Sequence, residues 1–63
     1  MFPLDEKKLL TEIYYSYYQP MLLIKKAIQF YVENGKDIEN LDKALGGLVE
    51  SRASIERDLG SIN

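Results

Sequence analysis

Two runs of apolar residues, each stepping alternately by three and four and separated by one Asn-Gly pair, restrict this chain more than any other feature. Leu10, Tyr14, Tyr17, Met21, Ile24, Ile28 and Tyr31 form the first run. Ile38, Leu41, Leu45, Leu48, Arg52, Ile55, Leu59 and Ile62 form the second, with Arg52 its one polar member. Such spacing collects each set on one side of an α-helix, as a seam that packs against another helix. Asp5 can accept from free N–H groups of the first turn, and Leu4 and Leu9 hold the two positions of a hydrophobic staple. Asn34-Gly35 offers a left-handed C-terminal cap, and Asp37 is placed to cap the second helix. The reading is a helix over residues 5–34, a turn over 35–37 and a helix over 38–60. So short a link cannot carry the chain back for parallel packing, so the helices run antiparallel. The predicted fold is all-α, one helical-hairpin domain spanning residues 1–63.

Pro20 falls inside the first helix. It lacks the N–H that would bond the Ser16 carbonyl and its ring crowds that carbonyl, at a cost of about 3 kcal/mol. It also disfavours helical dihedrals at Gln19. No glycine or turn cluster lies between Tyr17 and Met21, and the apolar phase does not slip there, so a kink is expected rather than a break. The same stretch, Tyr14-Tyr15-Ser16-Tyr17-Tyr18-Gln19-Pro20, is crowded with phenol rings. At 100° per residue Tyr14, Tyr17 and Tyr18 fall on the seam side with Leu10, whereas Tyr15 points about 100° away, toward water. Antiparallel pairing brings Arg52 near residues 17–20. From there its guanidinium can reach the Ser16 carbonyl or lie on a tyrosine face.

Size decides what else the hairpin needs. A chain of 63 residues builds only a marginal core, which small proteins reinforce with disulfides, metal or association. There is no cysteine and no histidine, which removes disulfides, thiolate metal sites, the commonest metal ligand and the side chain best suited to proton transfer near neutral pH. No cofactor or metal is expected, and association is the remaining route: two hairpins forming a four-helix bundle. The longest apolar run without tyrosine is Met21–Ile24, far below the ~20 residues of a membrane span. No signal peptide is read at the N-terminus, so the expected location is cytoplasmic. The formal net charge is −2, and neither half is basic enough to imply nucleic-acid binding by charge alone.

Two surfaces stand out. Leu9, Ser16, Leu23 and Phe30 recur every seven residues, with Ile13 and Ala27 beside them, on a flank that a lone hairpin leaves wet. In the second helix Gly46, Ala53 and Gly60 recur at seven, and Gly47, Ser54 and Ser61 follow one residue later. Since glycine in a helix costs roughly 1 kcal/mol relative to alanine, the Gly46-Gly47 pair suits a close neighbour, such as a helix or a large side chain. Leu9, Leu23, Ala27, Phe30, Gly46 and Ala53 are therefore the expected partner-binding residues. A second stripe carries Lys7, Lys8, Tyr15, Lys25 and Lys26, its lysine pairs about 27 Å apart at 1.5 Å per residue. Cations interleaved with aromatics can grip an acidic protein or an RNA backbone.

No catalytic constellation is present: Gly46-Gly47 lies mid-helix with no phosphate-binding lysine after it, and carboxylates such as Glu39 and Asp42 sit among lysines. Ser54-Ile55-Glu56-Arg57-Asp58 resembles the serine-x-glutamate-x-aspartate motif of small hairpin phosphatases that act on aspartyl phosphate in sporulation response regulators. The apolar and aromatic positions that follow in that family hold Gly60, Ser61 and Asn63 here, so the chain is not assigned to it. In plan it resembles plasmid-encoded hairpins that dimerise into RNA-binding bundles, and hairpin co-chaperones of type III secretion; these are likenesses of architecture. The function expected is non-enzymatic: an adaptor, inhibitor or chaperone-like regulator that binds a protein partner or a second copy of itself. RNA binding through the lysine stripe is the alternative.

Overall fold

The computed structural model describes residues 5–62, which form three α-helical segments: α1 (Glu6–Ser16), α2 (Tyr18–Glu33) and α3 (Glu39–Gly60). Each boundary has a local cause. Asp5 is extended (φ −74°, ψ 102°) and its carboxylate accepts from the Lys8 N–H, which starts α1. Leu4, the other half of the expected staple, lies outside the described residues.

At the far end Gly35 takes φ 67°. This lets the Lys36 N–H reach back to the Tyr31 carbonyl at 2.8 Å and the Gly35 N–H to Val32 at 3.2 Å. Those two bonds make the Schellman arrangement that closes a helix on a left-handed residue. Asn34 adds a side-chain bond to the Phe30 carbonyl. Ile38, which has no side-chain acceptor, occupies the N-cap of α3 in place of the expected Asp37; Asp37 stands one residue earlier, and its carboxylate accepts from the Glu39 N–H at 3.0 Å. Gly35→Ala keeps every other contact, since a Cβ there meets nothing within 4 Å, but places an L side chain in left-handed backbone at about 1–2 kcal/mol. Urea denaturation should show that loss, with Gly35→Asn losing less; an unchanged midpoint for Gly35→Ala would mean that the turn is not held in this conformation.

The interruption between α1 and α2 is one residue long. Tyr17 keeps right-handed helical dihedrals (φ −70°, ψ −20°), so the path bends without reversing, and α1 with α2 forms a single kinked arm. The bend sits a turn before Pro20, at the carbonyls the proline disturbs. Pro20 has no N–H for Ser16, and the Ser16 hydroxyl bonds the Ile13 carbonyl at 2.6 Å. The Tyr17 N–H, which an undisturbed helix would send to Ile13, goes instead to Tyr14 at 3.4 Å. A serine that bonds back into the preceding turn is a recognised cause of helix bending. The expected uninterrupted helix over 5–34 is thus corrected to two segments around Tyr17, with the kink itself retained.

Both segments of this arm pack against α3. All the described members of the two apolar runs are half-buried or buried, but only Met21, at 8% exposure, is buried. The reason is dimensional. The hairpin measures 53 × 19 × 14 Å, and a single helix with its side chains is already about 10–12 Å across. Its radius of gyration, 15.4 Å, compares with about 11 Å for a compact domain of this length.

Two side chains differ from the sequence reading. Tyr18 is 59% exposed; the bend and the drift of a straight 3.6-residue helix from a 3.5-residue seam carry it to the edge, off the packed side. Arg52 does not serve the Ser16 carbonyl. Its guanidinium carbon lies 5.4 Å from the centroid of the Tyr14 ring, so of its two expected engagements the aromatic one is realised.

Candidate functional site

A two-helix hairpin has two broad faces, and the heptad register assigns residues to each. In an antiparallel pair the positions just before one seam residue of each helix meet on one side, and those just after the other seam residue meet on the opposite side. The first side carries Leu9, Ile13, Ser16, Pro20, Leu23, Ala27 and Phe30 from the α1–α2 arm, spaced alternately four and three: a second complete seam. From α3 the same side carries Ala44, Gly47, Ser51 and Ser54. Between Leu9 and Phe30 on one helix, and between Asn40 and Ser54 on the other, this face holds no charged residue; Glu6, Asp37 and Asp58 lie at its ends.

Bulk is divided unevenly across this face. Leu9 is 41% exposed, Ile13 42%, Leu23 62% and Phe30 56%, so the arm presents a ridge of large side chains. The α3 half is a shallow valley, for a Cβ added at Gly47 would meet nothing within 4 Å. Nothing inside the hairpin therefore requires glycine at that position. The seven-residue repeat of Leu9, Leu23 and Phe30 was legible as a stripe; the valley beside it was not, because the side of α3 that joins it follows only from the antiparallel register.

The opposite face is chemically different. It carries Lys8, Tyr15, Tyr18, Leu22, Lys25 and Val32 from the arm, and Glu39, Asp42, Gly46, Val49, Ala53 and Glu56 from α3. Gly46 and Ala53 thus share a face with the lysines, while Leu9, Leu23, Ala27 and Phe30 stand together on the other. Tyr18, Met21, Leu22, Lys25 and Arg52 line a groove of about 190 Å³ here. Lys7, Lys8, Tyr15, Lys25 and Lys26 are all exposed, Tyr15 at 68%. The register sets Glu39, Asp42 and Glu56 beside that stripe, so its positive potential is offset at each end.

Ser54, Glu56, Arg57 and Asp58 are exposed on a regular turn of α3, and Ile55 between them is half-buried in the seam. The Arg57 guanidinium donates to the Ser54 hydroxyl at 3.0 Å, an ordinary pairing three residues apart. No helix among the described residues is long and apolar enough to cross a membrane. No protein family, characterised protein or solved structure matches the chain.

Proposed function

We propose that this protein is a small non-enzymatic interaction module, an adaptor, inhibitor or chaperone-like regulator, that works by pressing the Leu9–Leu23–Ala27–Phe30 face against another helical protein surface. The observation that carries the reading is this uncharged second seam, half or more exposed at Leu23 and Phe30. Covering a large apolar side chain is worth about 1.5–3 kcal/mol. Leu9, Leu23 and Phe30 together therefore offer several kcal/mol that the isolated hairpin leaves in contact with water. A helix carrying two seams supports packing on both sides, and completing a four-helix bundle is the simplest arrangement that uses both.

RNA binding by the lysine face makes the opposite prediction about salt. Phosphate contacts release counterions and weaken steeply as salt rises, whereas an apolar interface hardly responds. Complexes isolated from the native host should survive raised salt, should contain protein, and should be lost on Leu23→Lys but kept on Lys25→Gln. A complex that contains RNA, dissolves with salt and tolerates Leu23→Lys would replace this reading with the nucleic-acid one.

A further inference from the structure

Resting on that interaction reading, we infer that the partner on the Leu23–Phe30 face is a second copy of this chain, docked with both hairpin turns at the same end, so that each protomer's ridge lies in the other's valley. A two-fold interface presents the same patch on both sides, so the patch must complement itself. This face does so in charge and in shape. It has no charge along its length to repel its copy or to be stripped of water, whereas the opposite face carries lysines on the arm and carboxylates on α3 that a closed interface would have to desolvate. Its large exposed side chains, Leu9, Ile13, Leu23 and Phe30, all lie on the α1–α2 arm, where Ser16 and Ala27 interrupt them, and its α3 half carries only the small residues Ala44, Gly47, Ser51 and Ser54 along its middle.

Symmetry then selects the arrangement. Two hairpins meeting face to face can be related by a two-fold axis along their length or across it. The crosswise axis stacks ridge on ridge and leaves valley over valley. The lengthwise axis sets each arm over the other copy's α3, ridge into valley, and preserves height along the bundle. Heights follow from the turn, since α2 ends at Glu33 and α3 begins at Glu39. Leu23, ten residues before the one, is level with Val49, ten residues after the other, which on this face falls between Gly47 and Ser51. Phe30 is level with Asp42, which on this face falls between Asn40 and Ala44. The lengthwise dimer thus gives Gly47 a role that the hairpin alone does not.

The test uses the whole chain, which has no cysteine, so that Lys36→Cys introduces one unique spin-label site at the turn. Sedimentation equilibrium at micromolar concentration should show a dimer. Pulsed dipolar spectroscopy should place the two labels within about 25 Å, two helix diameters; the crosswise arrangement would separate them by close to the hairpin's 53 Å length. Gly47→Leu should weaken dimerisation by about tenfold or more, since overfilling a packed interface is felt at both symmetric copies. Gly46→Leu, one residue away on the lysine face, should leave it unchanged. Circular dichroism of both variants separates weakened association from failed folding.

A dimer with distant labels, or equal tolerance of leucine at both glycines, would overturn the ridge-in-valley arrangement. A monomer at every concentration would overturn self-association. In that case a photo-crosslinking residue at Leu23 decides the broader reading: covalent capture of a host protein leaves the interaction face standing with a different occupant, and capture of nothing removes both.

Discussion

Met21→Ala is expected to remove about 2–3 kcal/mol of stability, most of what the hairpin has. Met21 is the one buried side chain among the described residues, at the centre of the seam beside Arg52 and Leu22. Truncating a buried methionine to alanine costs about 2–5 kcal/mol, the spread reflecting how far the surroundings close over the gap. A thin pair of helices closes more readily than a globular core, which places the expectation toward the lower end. Because a core of this size seldom supplies more than about 3–5 kcal/mol, the variant should be largely unfolded well below the melting temperature of the parent. Met21→Leu, a volume-conserving change, should cost under about 1.5 kcal/mol. Urea denaturation followed at 222 nm, run at two protein concentrations, provides the measurement. A loss below 1 kcal/mol for Met21→Ala would show that the intramolecular seam is not the main source of stability, and a midpoint rising with concentration would assign the remainder to association.

The physics explains which parts of this structure were readable in the residues. The seams were legible because burial between two helices demands one residue every 3.5, and that demand repeats over four or more turns. Local accidents cannot erase it; even Arg52 keeps its place by laying its guanidinium toward Tyr14. The Gly35 turn was legible because left-handed backbone strongly favours glycine. Helix continuity was less so. Pro20 marked the disturbance, but the break falls at Tyr17, because the Ser16 hydroxyl competes for the Ile13 carbonyl, and a serine's choice between water and backbone is not written in its neighbours. Tyr18 shows the limit of a straight wheel, which loses phase across a bend. The candidate face was half legible. Its large residues repeat at seven along one helix, whereas its small residues join them only through the relation between two helices.

Pro20→Ala should raise stability by up to about 3 kcal/mol while disturbing whatever fits the bend. The substitution restores an N–H donor for the Ser16 carbonyl and removes the ring that crowds it. The gain depends on Ser16, because its hydroxyl holds the Ile13 carbonyl at 2.6 Å and leaves the Tyr17 N–H with a long 3.4 Å bond to Tyr14. Ser16→Ala releases Ile13 for Tyr17 and supplies the better helix former, yet with Pro20 in place the turn cannot straighten. The two substitutions act on the same few peptide groups, so their effects should deviate from additivity by at least about 0.5 kcal/mol, the double variant gaining more than the sum. Chemical denaturation of all four proteins closes that cycle. Strict additivity would mean that serine and proline bend the arm independently. A loss of stability in Pro20→Ala would show that the seam is shaped for a bent path, with packing against α3 outweighing one backbone hydrogen bond. Pro20 also lies on the uncharged face between Ser16 and Leu23, so a straightened arm misaligns Leu9 from Leu23 and Phe30. A more stable hairpin that associates less well is therefore the expected phenotype. It would identify the bend as a feature retained for the partner at the expense of the fold.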